Sequence, residues 1–177
     1  MDIPSEHAKA TIEYFRKQGI HTTLITGDSE MTGKAVAKQL GIDEVIANVM
    51  PEDKSRIIDE QKEKYGVTAM VGDGVNDAPA LVNADVGIAM GDGPDVAVEV
   101  SDLVLMQNNL SKLVQSHNIS SKMNRVIWQN IIFSMAVLAF LIVVSFLGLT
   151  DIAISVIIHE GSTLVVILNG LRLLRAV

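Results

Sequence analysis

The chain has 177 residues, a formal net charge of −7 and no cysteine. That length suits one domain or two small ones. The acidic balance argues against nucleic acid as a partner, because a phosphate-binding surface needs a basic excess, and the missing thiols exclude disulfides and thiolate metal ligands within these residues.

Residues Met1 to Ala10 have no apolar core and no cleavage pattern, so no signal peptide is expected there. Ser5 can cap a helix running to about Gln18, with Gly19 stopping it. Ile20 to Ile25 is a β-rich run followed by Thr26-Gly27-Asp28, and a helix from Met31 to Leu40 ends at Gly41. Glu44 to Asn48 reads as a short strand, and Pro51 then opens a helix to about Lys64. Val67 to Val71 is an apolar run ending in Gly72-Asp73-Gly74, with a helix from Asn76 to Asn83 behind it. Val86 to Met90 and Asp102 to Met106 complete the strands, with a short helix from Val96 to Val100 between them. This alternation predicts an α/β domain with a parallel sheet. Ligands bind such sheets beyond the C-terminal strand ends, where both acidic glycine turns fall.

From Leu110 the pattern becomes a long helix. Val126 to Thr150 contains no Asp, Glu, Lys or Arg, and a second apolar run covers Ile152 to Leu171. Each is long enough to cross a bilayer, which takes about 20 residues. Lys112, Lys122 and Arg125 precede the first span, and Arg172 and Arg175 follow the second. Basic residues at both outer ends predict that both face the cytoplasm, with the tight connection from Gly148 to Asp151 facing outward. The alternative is a long buried hairpin in a soluble protein. Trp128 is expected to anchor at the interface, Asn130, Ser134 and Asn169 to serve helix packing (with lining of the ion pathway the alternative for Asn130 and Ser134), and His7, His21 and His117 to be surface residues without ligand-spaced partners.

Chemistry concentrates in the ten residues Gly72-Asp73-Gly74-Val75-Asn76-Asp77-Ala78-Pro79-Ala80-Leu81. An Asp at a strand end between glycines presents a carboxylate to a hard cation. Asp77, four positions on, can face the same pocket, and Asn76 adds an uncharged donor. Two carboxylates beside a phosphate repel it unless Mg²⁺ sits between them.

This string resembles the hinge motif of P-type ATPases, members of the haloacid dehalogenase-like superfamily. Thr26-Gly27-Asp28 is similar to the family's TGD motif, and Met50-Pro51-Glu52-Asp53-Lys54 resembles the segment whose lysine neutralises phosphoryl oxygens. The resemblance covers essentially the whole chain. It implies Asp73 as the Mg²⁺ ligand, Asn76 and Asp77 in support, and Thr26, Gly27, Asp28 and Lys54 around the phosphoryl group. It also implies an aspartyl phosphate formed on an Asp-Lys-Thr-Gly motif, which these residues do not contain. Asp53-Lys54-Ser55 imitates it only superficially, since it lies inside the helix opened by Pro51. The nucleophile, the ATP-binding domain and earlier membrane helices are therefore expected in an absent N-terminal portion, and this chain alone is expected not to hydrolyse ATP.

His159-Glu160-Gly161-Ser162-Thr163 falls in the middle of the second span, where ionisable groups are costly and usually functional. On a helix His159 and Thr163 share a face, with Ser162 nearby. Imidazole and carboxylate suit Zn²⁺, Co²⁺ and related first-row metals. The string resembles the last helix of the cobalt/zinc subgroup of heavy-metal P-type ATPases. Where zinc/cadmium/lead pumps carry an Asp and a lysine, this sequence has His159 and Leu138.

The expectation is thus a haloacid dehalogenase-like domain followed by a two-helix transmembrane hairpin. Residues 1–109 would be the C-terminal part of a phosphorylation domain, and 110–177 a stalk helix and the last two membrane helices. The function expected is ATP-driven transport of a divalent transition metal (cobalt, zinc or cadmium) by a multi-pass plasma-membrane protein in contact with lipid. A membrane-anchored phosphatase of the same superfamily, which would need an upstream Asp-x-Asp, and a stand-alone regulatory or vestigial metal-binding fragment are the alternatives.

Overall fold

The computed structural model describes residues 6–73, 75–91, 95–106 and 109–175. The chain divides into two compact units, Met1–Val114 and Gln115–Val177.

In the first unit the elements run α1 (Glu6–Lys17), β1 (Thr23–Ile25), α2 (Glu30–Leu40), β2 (Glu44–Ile46), α3 (Lys54–Tyr65), β3 (Ala69–Gly72), α4 (Ala78–Asn83), β4 (Val86–Met90), α5 (Asp95–Glu99) and β5 (Leu103–Leu105). The expected cap at Ser5 lies outside the described residues. Local chemistry sets the other boundaries. Ser29 caps α2 by accepting the Thr32 N–H, and Gly41 at φ 78° closes it by donating to the Ala37 carbonyl. The helix expected to open at Pro51 begins instead with a tighter turn, Pro51–Asp53, before α3. A second such turn, Val75–Asp77, precedes α4.

Four strands are shorter than the runs that predict them, and for β1 and β3 side chains explain the loss. Asp43 Oδ2 accepts from both the N–H and the hydroxyl of Thr22, at 3.1 and 2.8 Å, so the chain is captured before a ladder can start at Ile20. Asp85 Oδ2 likewise accepts the Thr68 N–H at 2.8 Å, which leaves Val67 outside β3. Asn48, at φ 55°, turns the chain away just past β2.

All pairings are parallel, as expected, but the strands form two groups rather than one continuous sheet. β1 pairs with β2 in the register Thr23↔Glu44 to Ile25↔Ile46. β3 pairs with β4 from Ala69↔Val86, and β4 with β5 from Ile88↔Leu103. Apolar runs report burial and not which edges bond, so the break between β1 and β3 has no signature in the run lengths. The two groups nevertheless share a core. Ile25 of β1 packs against the buried cluster of Ile58, Met70, Ala80, Leu81, Ala89 and Ala97. Burying a side chain such as Leu81 contributes about 1.5–3 kcal/mol. α4 lies close over β4 because Gly87 has no Cβ, which would stand 2.6 Å from the Leu81 carbonyl oxygen.

The second unit is a helical hairpin. α6 (Ser111–Phe146) enters it from the first unit, and α7 (Ile152–Leu171) returns after a turn through Gly148 at φ 66°. Asp151 caps α7 by accepting the Ile154 N–H at 2.9 Å. Both helices are long and apolar enough to cross a membrane, and neither has a buried residue. Among the described residues neither helix is covered by the α/β unit's core. Towards the far end, the Asn169 carboxamide donates to Asn130 Oδ1 at 2.8 Å. A hydrogen bond between apolar helices of this kind does what packing residues are expected to do.

Candidate functional site

The C-terminal end of β3 delivers Asp73, and the turn that follows brings Asp77 back over the strand. Asp77 is buried, and its Oδ2 accepts the Asp73 N–H at 3.3 Å. This return is possible only because residue 72 is glycine. A Cβ there would stand 2.7 Å from the Asp77 Cβ and 3.0 Å from its Oδ2. Lys54, the first residue of α3, places Nζ 2.5 Å from Asp77 Oδ1, with side chains 19% and 8% exposed. A carboxylate this buried would be strongly disfavoured without its cation. Asn76 is exposed in the same turn, as is Asp73.

The Thr26-Gly27-Asp28 turn lies at the corresponding end of β1. The Thr26 hydroxyl accepts the Asp28 N–H at 3.1 Å, and the Thr26 and Asp28 carbonyls accept the N–H groups of Val49 and Asn48. Val49 is buried, and five residues further along lies Lys54. The segment from Asn48 to Lys54 therefore hangs from the β1 turn and ends on Asp77. Lys54, Asp73 and Asp77 are brought together by direct contact; Thr26, Gly27 and Asp28 join them through this segment.

Two supports escaped the sequence reading. The Asn83 carboxamide donates to the Ser55 carbonyl at 2.9 Å and to Asp59 Oδ1 at 2.8 Å. It thereby fixes the end of α4 to the start of α3, and with it the approach of Lys54 to Asp77. The Thr23 hydroxyl donates to Gln61 Oε1 at 3.0 Å, tying β1 to α3. Neither residue had a motif to reveal it, since polar residues near helix and strand ends are common. His21 is exposed, as expected of a surface residue, but it is not without contacts. Its ring stacks on Tyr65 with centroids 4.0 Å apart, and Nε2 lies 3.2 Å from Glu44 Oε2.

The donor set at the β3 end fits Mg²⁺. Asp73 offers an exposed carboxylate, and Asp77 adds hard oxygens whose charge Lys54 already balances. Among the described residues no three His, Asp or Glu side chains gather into a ready-made metal site.

In the second unit His159 and Glu160 are exposed side by side on α7. The hydroxyls expected to join them are turned to the backbone. Ser162 and Thr163 both donate to the His159 carbonyl, at 2.6 and 3.3 Å. Their oxygens keep acceptor capacity, but the four groups do not converge within this hairpin.

Known proteins resemble this chain along almost its whole length. Residues 1–85 match the family model described as haloacid dehalogenase-like hydrolase. A zinc-transporting ATPase of Bacillus subtilis (strain 168) is 54% identical over 168 residues, 95% of this chain but 26% of that protein. The cadmium, zinc and cobalt-transporting ATPase of the same organism is 38% identical over 175 residues, 96% of this chain and 25% of its own length. A crystal structure of a zinc-transporting PIB-type ATPase in the E2.Pi state superposes with a TM-score of 0.92 at 36% identity, covering 98% of this chain and 28% of that one. The chain thus spans about a quarter of the length of these relatives.

Proposed function

We propose, for a chain that carries a haloacid dehalogenase-like hydrolase domain and is homologous to metal-transporting P-type ATPases, that it forms the part of such a pump that binds Mg²⁺ and a phosphoryl group and contributes ligands to the ion. The observation that carries the reading is the contact of Lys54 with Asp77 beside the exposed Asp73. Phosphoryl transfer depends mainly on positioning and charge neutralisation, and this corner assembles a cation, two carboxylates and a strand-end turn.

Asp73, supported by Asp77, would hold Mg²⁺, which would supply positive charge to the phosphoryl oxygens. Lys54 supplies the second positive charge, and its bond to Asp77 keeps the ammonium at the site before a phosphoryl group arrives. Thr26 and Gly27 offer a hydroxyl and a backbone amide at the neighbouring strand end, and Asp28 lies in the same turn. Asn76 contributes an uncharged donor. The accepting aspartate and the ATP-binding domain belong to an N-terminal portion outside these residues. In this division residues 1–109 complete the phosphorylation domain and 110–177 supply a stalk and two membrane spans, with the phosphorylation domain on the cytoplasmic side of a multi-pass plasma-membrane protein.

His159 and Glu160 are the chain's share of the transport site, with Ser162 and Thr163 completing the turn. Imidazole and carboxylate favour zinc or cobalt over softer monovalent ions. The test is a chimera in which this chain replaces the matching quarter of the Bacillus subtilis zinc-transporting ATPase. Zn²⁺- or Co²⁺-stimulated formation of an acid-stable phosphoenzyme is expected, abolished by Asp73→Asn. A chimera that reaches the membrane intact yet shows no metal-dependent phosphoenzyme overturns the reading.

A further inference from the structure

At the end of the hairpin away from its turn, one side chain joins the two helices. The Asn169 carboxamide donates to Asn130 Oδ1 at 2.8 Å and to Gln129 Oε1 at 3.4 Å, while its oxygen accepts Arg172 Nη1 at 2.9 Å. Arg172, just past α7, is therefore exposed but held by one nitrogen, with the rest of its planar fork of donors left to bind elsewhere. On α6 the exposed Arg125 lies one turn before Gln129. At the helical rise Arg172 stands about 4.5 Å beyond Asn169, and Arg125 about 6 Å before Gln129, towards the same end of the hairpin. No Asp or Glu occurs between Asp102 and Asp151 or after Glu160, so that end carries cations and no carboxylate of its own. From Ile152 to Asn169 the axis of α7 runs about 26 Å, close to the thickness of a hydrocarbon core. With the turn at one membrane surface, the two arginines stand at the depth of the headgroup phosphates of the other.

We propose that Arg125 and Arg172 form a site for the phosphate of an anionic phospholipid, with Asn169 holding Arg172 in place. Guanidinium groups bind phosphate through paired N–H bonds, and two of them favour an anionic headgroup over a zwitterionic one. The surface inward from each arginine suits the rest of the lipid. Ile132, two turns from Arg125 on the same face, and Leu168, one turn from Arg172, are both exposed. An acyl chain can lie along them, whereas a free phosphate ion has no use for them. Basic residues that only orient a span act by charge and need no fixed geometry; the bond from Asn169 to Arg172 supplies one here. The proposal goes beyond the transport reading and rests only on α6 and α7 being membrane spans.

Trp128, the one tryptophan of the chain, is exposed and three residues from Arg125, so its fluorescence reports on this site. The full chain is placed in phosphatidylcholine vesicles containing either phosphatidylglycerol or phosphatidylcholine brominated high on the acyl chains. Both leaflets have the same composition, so the orientation of the hairpin does not affect the readout. Brominated phosphatidylglycerol should associate at Trp128 at least about threefold more strongly than brominated phosphatidylcholine. Arg125→Gln with Arg172→Gln should bring that ratio to one. Asn169→Ala keeps every charge and should still lower the preference by about half or more, since Arg172 is then released. A ratio of one in the unaltered chain, or a preference that survives either change intact, overturns the proposal. So does loss of the preference when inorganic phosphate replaces chloride at equal ionic strength, which would mark a site for the free ion. Absence of quenching by either lipid would overturn the membrane spans themselves, a distinct failure.

Discussion

Lys54 and Asp77, 23 positions apart, meet at 2.5 Å in a partly buried ion pair at the edge of the α/β unit. Lys54→Met removes the cation and leaves the Asp77 carboxylate buried with less compensation. The expected loss is about 2 kcal/mol of stability, read as a lower melting temperature by circular dichroism of the full chain. Asp77→Asn in the same background should recover most of that loss, because the unpaired charge is then gone. Neither change should permit phosphoenzyme formation in the chimera.

Gly72→Ala tests the return of Asp77 over β3. The added Cβ would lie 2.7 Å from the Asp77 Cβ, so the turn must shift. A loss of about 1–3 kcal/mol is expected from overpacking, with a rise in the Mg²⁺ concentration needed for half-maximal phosphorylation of the chimera. An unchanged Mg²⁺ requirement would show that the placement of Asp77 is not set by this contact.

Asn83→Ala should weaken the junction of α4 with α3 by about 1–2 kcal/mol, since two donated hydrogen bonds are lost. Asn83→Asp keeps the shape but replaces the donor with an acceptor facing Asp59, and is expected to cost more. Denaturant titrations of the three chains rank them.

Acid should destabilise the first unit through groups remote from the candidate site. The Thr22 hydroxyl holds the Asp43 carboxyl below its usual range, with Arg16 adding to the effect. Lys64, then Tyr65 and His21, lower Glu44 in the same way. The Thr68 amide, then Lys62, lowers Asp85. Each group holds fewer protons folded than unfolded, so its contribution is complete above the unfolded value of about 4 and disappears as pH falls through the depressed folded value. Melting temperature should therefore drop steeply below about pH 4. Asp43→Asn combined with Glu44→Gln should flatten that slope while lowering stability at pH 7.

In the hairpin, Asn169→Leu removes the hydrogen bond to Asn130. Such bonds between membrane helices contribute about 0.6 kcal/mol on average. The variant should lose a comparable amount in a detergent-unfolding titration.

Much of the first unit was legible because its signals are local. Val86–Met90 is a strand with the predicted bounds, and the Gly72 string announced a strand-end carboxylate before any coordinates did. What stayed hidden depends on partners distant in sequence. Asp43 and Asp85 shorten strands by capturing amides 21 and 17 positions away, and the Asn83 bridge to Ser55 crosses 28. Ser162 and Thr163 were expected on a metal because they lie beside His159 in a span. In a helix, however, a hydroxyl has a carbonyl three or four residues back within easy reach, and both take it.

The break between β1 and β3 has a consequence for handling the protein. One five-stranded sheet would expose two edges; a two-stranded and a three-stranded sheet together expose four. β1 and β3 are three and four residues long, too short for a stable foreign ladder to grow from either alone. As strand edges they remain templates for pairing with an extended segment that passes. In concentrated solution the readiest such segment is the unfolded stretch of a neighbouring molecule, so loss of soluble material should begin with partial opening of this unit and rise steeply with protein concentration.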